Sequence, residues 1–354
     1  MEKVCTKANA AVPGQHRLPM EVQSCQQAGK SIRNGDWVER RRRDRIWRSQ
    51  PINAGASFRP RSIRYRSFMS TTTENEWLRQ VTVLGVGLLG GSVALSLRRA
   101  LPQTRLVGLA RNPEKQHFLA SSGMVDVTAG TISEACEQSD AVVVASPVDR
   151  IAEMVISAAA SSPADCLITD VGSTKRQIVA SVGEDPTASR KFIAAHPIAG
   201  SEKSGPENAS GSLFDEKLVV VTPTETTCPQ LLQKAHQFWR LTGGQTYEMT
   251  PTEHDTHLAA ISHMPHLVSA LVAKIASPEA LPLAGSGWRD ITRVAAGDPT
   301  LWAAICRENR AAIGSELKQF AEELERLRQI LHHADDAALH QWLTEAKKIK
   351  EQSS

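Results

Sequence analysis

Three polar segments follow apolar runs of strand length, and their side chains could bind a ligand and transfer a proton. The segments are 146–148, 170–175 and 196–203, after the runs 141–145, 167–169 and 192–195. Ligands of doubly wound α/β folds bind beyond the carboxyl ends of the strands, so we expect the three segments to meet at one edge of a sheet. His196 stands between its strand and Pro197, whose ring fixes the local backbone. A histidine there can act as an acid or a base near neutral pH, although the position also suits a histidine that only ends the strand.

A second polar cluster lies in the C-terminal third of the chain. His263 and His266 are three residues apart and share one face of a predicted helix. Two histidines at this spacing could bind a metal, but no third ligand stands nearby, so no metal site is predicted. Arg289 and Arg293 follow, four residues apart, with Asp290 between them. An arginine fork suits the recognition of a carboxylate, whereas Arg293 could instead pair with Asp290.

A glycine-rich motif follows the first strand-like run, 81–84, and precedes an apolar stretch with helical character. In Gly-x-Gly-x-x-Gly the first glycine permits a tight turn, the second lets the backbone approach a pyrophosphate, and the third allows close contact between helix and sheet. The phosphates would lie at the helix N-terminus, where free N–H groups and the helix dipole favour anions. The predicted cofactor-binding residues are Gly85, Gly87, Leu88, Leu89, Gly90, Arg111, Ser146 and Pro147.

The residues after the second predicted strand bear on the choice of dinucleotide. An NAD-specific site usually places an acid about 20 residues beyond the third glycine, against the ribose 2′-hydroxyl. This chain has Ala110, Arg111 and Asn112 there. Because no carboxylate would repel a 2′-phosphate and Arg111 could pair with one, the sequence favours NADP. NAD stays open, because Arg111 could equally stack on adenine.

The order of the predicted elements defines the fold class. Strand-length runs at 81–84, 105–109, 141–145, 167–169, 192–195 and 218–222 alternate with plausible helices. Such alternation predicts an α/β fold with a Rossmann-type, doubly wound, mainly parallel sheet. From Pro251 onward the strand signal almost vanishes, so an all-α C-terminal domain is expected. We place the dinucleotide-binding domain at 77–246 and the helical substrate and dimerisation domain at 247–354.

One stretch of the helical domain has the spacing of a coiled coil. Its apolar residues, alternately four and three positions apart, are Ile313, Leu317, Phe320, Leu324, Leu327 and Leu331. An apolar face of this kind needs a partner. The partner could be a second subunit or neighbouring helices of the same subunit, and the spacing alone leaves both open.

Charge is distributed unevenly along the chain. Residues 1–68 hold 15 Lys and Arg against 5 Asp and Glu, whereas the rest holds 26 against 33. We interpret residues 1–76 as a basic, disordered leader, or as sequence upstream of a true start at Met69. Two further interpretations are a nucleic-acid-binding or targeting arm and a transit segment. No unbroken apolar run approaches the roughly 18 residues of a transmembrane helix, and six scattered cysteines form no Cys-x-x-Cys pair. We therefore expect a cytoplasmic protein with no membrane, metal or nucleic-acid partner.

Taken in order, six motifs resemble those of the prephenate/arogenate dehydrogenase (TyrA) family. They are Gly85-x-Gly87-x-x-Gly90-Gly91, Asp170-Val-Gly-Ser-Thr-Lys175, His196-Pro-Ile-Ala-Gly-Ser-Glu202, Glu253-His-Asp255, Ser262-His-Met-Pro-His266 and Gly287-Trp-Arg-Asp-Ile-Thr-Arg293. The likeness covers about residues 80–330. It implies oxidative decarboxylation of prephenate to 4-hydroxyphenylpyruvate, or of arogenate to tyrosine, with hydride transfer to NAD(P)+ in tyrosine biosynthesis.

The resemblance also implies roles for the candidate residues. His196 would accept the hydrogen bond of the substrate's ring hydroxyl, Ser173 would bind that hydroxyl or hold His196, and Arg293 would bind a substrate carboxylate. The other substrate-binding candidates are His263, Ser201, Glu202, Arg289, Asp290 and His266. Helical domains of this family form homodimers, so we expect a homodimer through the C-terminal helices. Family members often carry lysine where this chain has Arg289, and the acid that reads the ribose is absent, so substrate and cofactor preference stay open.

Two other functions compete with this interpretation. A dehydrogenase of the β-hydroxyacid type would share the two-domain architecture, but it relies on a lysine base carried on a helix, and no motif here supports one. A nucleotide-sensing protein could instead bind nucleic acid through the basic leader. Deleting residues 1–68 would separate the two classes, because an enzyme would keep its turnover whereas a binder would lose salt-dependent affinity.

Overall fold

The structure is a computed structural model that describes residues 77–200 and 203–352. The expectations for residues 1–76 and for Ser201 and Glu202 lie outside the described residues.

Eight strands form one mixed but mainly parallel sheet. The strands are β1 (Gln80–Leu84), β2 (Arg105–Leu109), β3 (Val127–Ala129), β4 (Ala141–Val144), β5 (Leu167–Asp170), β6 (Phe192–Pro197), β7 (Leu218–Thr222) and β8 (Gln245–Glu248). Their order across the sheet is β3-β2-β1-β4-β5-β6-β7-β8. The pair β6–β7 is antiparallel, and the other neighbouring pairs, including β7–β8, are parallel. The strands β7 and β8 therefore both run opposite to the rest of the sheet. The predicted Rossmann-type fold class is confirmed.

Helices cover both faces of this sheet. They are α1 (Leu88–Ala100), α2 (Pro113–Ser121), α3 (Ile132–Cys136), α4 (Ile151–Ser161), α5 (Arg176–Gly183), α6 (Pro186–Lys191) and α7 (Pro229–Leu241). Side chains of the central strands alternate between the faces. Val81, Val83 and Val143 pack with Val93 and Leu97 of α1, whereas Leu84, Val142 and Val144 pack with Ile151 and Val155 of α4. Burial on both faces explains why these strands read as continuous apolar runs.

The two strands that the sequence did not predict lie at the edges of the sheet. β3 has three residues, and β8 reads Gln-Thr-Tyr-Glu and is mostly exposed. An edge strand is paired on one side only and does not need the apolar run that marks a central strand. β8 ends at Glu248, two residues beyond the domain boundary that we placed at 246.

The described part of the C-terminal region contains helices and no strand. The helices are α8 (Pro251–Leu258), α9 (Met264–Ile275), α10 (Ser286–Thr292), α11 (Pro299–Glu308), α12 (Arg310–His332) and α13 (Asp336–Gln352). A capping box formed by Thr250 and Glu253 starts α8, and a π-helical turn, Ala259–His263, joins α8 to α9. π-helical turns inside helices are frequent at functional sites.

Among the described residues, one continuous helix, Pro251–Ile275, is long and apolar enough to cross a membrane by length and composition alone. Our criterion of an unbroken apolar run does not select it, because polar residues interrupt it. Three of them, His254, Asp255 and His263, are buried, and each contacts a residue of the dinucleotide-binding domain. This helix therefore carries part of a site at the sheet edge, and the absence of a membrane partner stays a prediction.

Candidate active site

The glycine motif forms a tight loop between β1 and α1. Gly85 has a φ of +99°, and a Cβ on it would lie 2.4 Å from the carbonyl oxygen of Ala145. A Cβ on Gly90 would lie 2.3 Å from the carbonyl oxygen of Gly85, so helix and strand touch there. A Cβ on Gly87 would meet no heavy atom within 4 Å. Two glycines are therefore needed for internal packing, and the middle one faces open space.

This open space lies at the N-terminus of α1. Gly87 is the N-cap, and no side chain caps the helix. A pyrophosphate beside Gly87 would meet free N–H groups of the first turn, to which Leu88 and Leu89 belong. Ser146 and Pro147 follow β4 at the same sheet edge, and Arg111 is exposed just after β2. The residues present fit a dinucleotide.

His196 lies near the end of β6, opposite Val220 of β7, and is partly exposed. Its Nδ1 is 2.9 Å from Nε2 of His254, which is fully buried. The Nδ1 of His254 is in turn 2.8 Å from Oδ1 of Asp255. A line of hydrogen bonds therefore runs from the sheet edge into α8.

Asp255 joins α8 to the loop between β5 and α5. Its carboxylate accepts hydrogen bonds from the backbone N–H groups of Lys175, at 2.8 Å, and Arg176, at 3.0 Å. Burial alone would raise the pKa of Asp255, but the hydrogen bonds from His254 and these two N–H groups outweigh it and hold the pKa below its ordinary value. The Asp255 side chain is therefore an anion that accepts hydrogen bonds.

Lys175 and Asp170 form an ion pair with both side chains fully buried. The Lys175 ammonium also donates to the carbonyl oxygen of Ala195 at 2.7 Å, and Asp170 accepts from the N–H of Ala195 at 2.9 Å. Burial lowers the pKa of Lys175, and the neighbouring Asp170 carboxylate opposes that shift. Since the pair binds both backbone groups of Ala195, it fixes the residue that precedes His196.

His263 holds the loop that carries Ser173. Its Nδ1 lies 3.2 Å from the amide nitrogen of Asn309, which also donates to the carbonyl of Asp255 at 2.6 Å. The carbonyl of Ser173 accepts a hydrogen bond from the His263 ring. Mainly because it is buried, the pKa of His263 is lowered to about 4, so this ring is neutral at physiological pH.

His266 stacks on Trp302, with ring centroids 3.4 Å apart and an angle of 13° between the planes. A Cβ on Gly297 would lie 2.6 Å from Nε1 of Trp302 and 3.0 Å from Cε1 of His266. The turn after Arg293 therefore packs on this stacked pair. The Nδ1 of His266 is buried and has no hydrogen-bond partner among residues 77–200 and 203–352.

Arg289, Asp290 and Arg293 are exposed on α10 and on the 3₁₀ turn after it, which pack against α9. Within the described ranges, no ion pair joins Arg293 to Asp290, so the intrahelical pairing that the sequence also allowed is not formed. No hydrogen bond or ion pair links these three residues to His196 in that same part of the chain. The guanidinium of Arg293 is left open to solvent.

Several residues of this site had no role assigned from the sequence. They are Asp170, Lys175, His254, Asp255, Trp302 and Asn309. The available signal was the motif Glu253-His-Asp255 at the start of the predicted helical domain, to which no role was given. In the described part of the chain, no group of three or more His, Cys, Asp or Glu side chains is arranged to hold a metal ion.

The chain has a Rossmann-type sheet with an open glycine loop, and its helical domain buries ionisable groups at the same sheet edge. This combination is that of a two-domain dinucleotide-dependent dehydrogenase. The family model described as prephenate dehydrogenase, nucleotide-binding domain, matches residues 93–248. The model described as prephenate dehydrogenase, dimerization domain, matches residues 250–345.

Individual proteins agree with these matches. The chain is 31% identical over 284 residues to the prephenate dehydrogenase of Bacillus subtilis (strain 168), covering 78% of this chain and 76% of that protein. It is 30% identical to the prephenate dehydrogenase from A. aeolicus, solved with hydroxyphenyl propionate and NAD+, with a TM-score of 0.73 over 78% of this chain and 98% of that one. Synechocystis arogenate dehydrogenase is 27% identical, with a TM-score of 0.67 over 78% and 100% of the two chains.

The chain therefore belongs to the prephenate dehydrogenase family, as the resemblance of its six motifs predicted. Its activity is that of the NAD(P)-dependent prephenate/arogenate dehydrogenases, which serve tyrosine biosynthesis.

Proposed function

We propose that this protein binds NADP+ or NAD+ at the glycine loop and takes hydride and carbon dioxide from prephenate or arogenate next to His196. The observation that carries the proposal is the position of His196, partly exposed at the sheet edge of the loop and held from beneath by His254 and Asp255. The test is turnover in the four pairings of prephenate or arogenate with NAD+ or NADP+. We expect activity in at least one pairing, and inactivity in all four would overturn the assignment.

The reaction makes a specific demand on the residue beside the ring hydroxyl. The bound dinucleotide supplies the acceptor for the hydride that leaves the hydroxyl-bearing carbon. As that C–H bond breaks, the hydroxyl oxygen becomes acidic and a neutral imidazole can take its proton. Cleavage of the bond to the ring carboxylate then returns an electron pair through the ring to that oxygen, which recovers the proton as a phenol. His196 would hold the proton between these two events.

The surroundings of His196 keep it in the form that this role needs. Burial lowers its pKa well below the ordinary value of 6.5, and the positive charge of the nearby Lys175 lowers it further. His196 is therefore neutral at physiological pH and can accept a proton.

We expect the remaining substrate contacts from residues near His196 in the fold or implied by the family resemblance. Ser173 would bind the same hydroxyl, since its loop is held by His263. Arg293 would bind a substrate carboxylate, which its exposed and unpaired guanidinium permits. His266, which is stacked on Trp302 with its Nδ1 buried, stays a predicted substrate-binding residue. Arg289, Asp290, Ser201 and Glu202 stay as predicted substrate-binding residues.

The cofactor preference is expected to depend on Arg111. If the native protein prefers NADP+, the Arg111→Glu variant should have a KM for NADP+ about 10- to 100-fold higher than the native value. The reason is that a charge-assisted bond to the 2′-phosphate is replaced by repulsion. The KM for NAD+ should change little. Arg190→Glu, also an exposed arginine but on α6, is the matched control. An unchanged ratio of the two KM values would contradict NADP recognition by Arg111.

A homodimer through the C-terminal helices explains the apolar surface of this region. On α12 the predicted a/d residue Ile313 is buried, whereas Leu324 and Leu331 are 53% and 59% exposed. Such a row of exposed leucines is typical of an interface. Light scattering should give twice the chain mass of 38.5 kDa for the native protein. The double variant Leu324→Glu/Leu331→Glu should be a monomer, whereas Gln319→Glu on the same helix should stay dimeric; a dimeric double variant would argue against this interface.

We also propose that the protein is located in the cytoplasm. Cys136 and Cys166 are buried free thiols, and burial raises the pKa of each to about 12. Thiols of this kind are inert packing groups and fit a reducing compartment.

A further inference from the structure

The hydrogen bonds beneath His196 have a defined direction. An ionised carboxylate accepts hydrogen bonds and donates none. Asp255, which already accepts two backbone N–H groups, must therefore accept from Nδ1 of His254 at 2.8 Å. Burial lowers the pKa of His254, so this ring is neutral and its single proton is on Nδ1. The Nε2 of His254 is consequently an acceptor.

The hydrogen bond between His196 and His254 has a defined direction as well. The Nδ1 of His196 lies 2.9 Å from the accepting Nε2 of His254, so it must carry the proton of the neutral ring. The Nε2 of His196 is left with a free electron pair. A neutral histidine without such a partner can carry its proton on either nitrogen, and the partner of one nitrogen decides the state of the other.

We propose that His254, oriented by Asp255, is a positioning residue that keeps His196 in the tautomer whose Nε2 accepts the substrate's hydroxyl hydrogen bond. The inference rests on the proposed role of His196 and adds two residues to it. In this arrangement His254, oriented by Asp255, sets the tautomer of His196, as the aspartate of serine proteases sets the tautomer of the catalytic histidine.

The arrangement also acts during the reaction. When His196 takes the hydroxyl proton it becomes an imidazolium, and its bond to the neutral His254 becomes charge-assisted and stronger. An interaction that strengthens only as the proton moves raises kcat and has little effect on KM. A His254 that served only to fill space would not produce this pattern.

His254 is a better position for the test than Asp255. Asp255 binds the N–H groups of Lys175 and Arg176 at the start of α5, so its replacement would also disturb the fold. The hydrogen bonds of the His254 ring within the described residues are those to His196 and Asp255. His254→Leu removes the Nε2 acceptor and fills the buried space with an apolar side chain. His254→Gln can still present an amide oxygen to His196.

The experiment uses the full chain and compares these two variants with His257→Leu, which changes an exposed histidine on the same helix. ¹⁵N NMR of the histidine rings reports the tautomer of His196 without substrate. For His254→Leu we expect a shift of His196 toward the Nε2–H form and a kcat about 10- to 100-fold lower, which is less than the 10² to 10⁴ that the positioned base itself contributes. KM and the dinucleotide Kd should stay near the native values, and His254→Gln should regain most of kcat.

Two results would overturn the proposal. One is a native tautomer and a native kcat in His254→Leu. The other is an equal loss of kcat in the Leu and Gln variants with an unchanged tautomer, since that would show a packing role only. Because the NMR measurement needs no turnover, an inactive native enzyme would count against the proposed function and leave the tautomer result to be judged by itself.

Discussion

Replacing His196 by asparagine should lower kcat by about 10² to 10⁴-fold, the contribution of a well-placed acid–base group. Asparagine can keep a hydrogen bond to His254, but it cannot take a proton from the substrate hydroxyl. Dinucleotide binding should be unchanged, because the glycine loop is built by β1 and α1 with packing from Ala145 and without His196. Steady-state kinetics and a titration with the dinucleotide alone measure the two quantities.

Arg293→Gln is the contrast for this experiment. It should raise the KM for the substrate about 10- to 100-fold, the cost of one charge-assisted hydrogen-bonded contact, and leave kcat closer to native. Opposite patterns in the two variants would separate proton transfer from substrate binding. A His196→Asn enzyme with native turnover would refute the role of His196.

The pH profile provides a further check on His196. Its neutral form is the active one, and that form predominates above the pKa of the ring. Burial lowers this pKa well below 6.5. As the pH is lowered from neutral through 6.5, kcat/KM should therefore stay constant, and it should fall only at a pH well below 6.5. The residual activity of His196→Asn should lack this acidic limb.

The sequence located the residues whose role depends on local backbone. The three glycines need only the strand before them and the helix after them, and the structure shows two of them packed and Gly87 open. The position of His196 at the end of a strand was predictable because an apolar run precedes it and Pro197 follows it, whereas its catalytic role came from the family resemblance and stays a prediction. The central strands were predictable because burial on both faces demands an uninterrupted apolar run.

The connections beneath the site could not be predicted, because they join residues distant in the chain. His196 and His254 are 58 positions apart, and Lys175 and Asp255 are 80 apart. No periodicity reveals which buried polar residues will meet. For Arg293 and Asp290 the local spacing allowed a pair that the structure does not form. Local pattern therefore predicts the central strands and the helices, whereas the partners of buried charges depend on how the two domains pack.

Replacing Lys175 by methionine should destabilise the protein by about 3–5 kcal/mol, the usual cost of leaving one member of a buried ion pair without its partner. Lys175 and Asp170 are both fully inaccessible to solvent. Methionine fills much of the space of the lysine chain but leaves the Asp170 carboxylate buried beside the backbone of Ala195. Urea unfolding at neutral pH measures the free energy, and Lys115→Met on the exposed surface of α2 should change it by less than about 0.5 kcal/mol.

A double variant distinguishes an unpaired charge from lost packing. Asp170→Asn in the Lys175→Met background removes the negative charge and keeps an oxygen that can accept from the N–H of Ala195. If the unpaired carboxylate causes the instability, the double variant should regain a large part of the lost free energy, because buried pairs can be replaced together at little cost. If it is no more stable than Lys175→Met, the ammonium contributes mainly through its bond to the carbonyl of Ala195. In that case kcat should also fall in both variants, since this bond fixes the residue before His196.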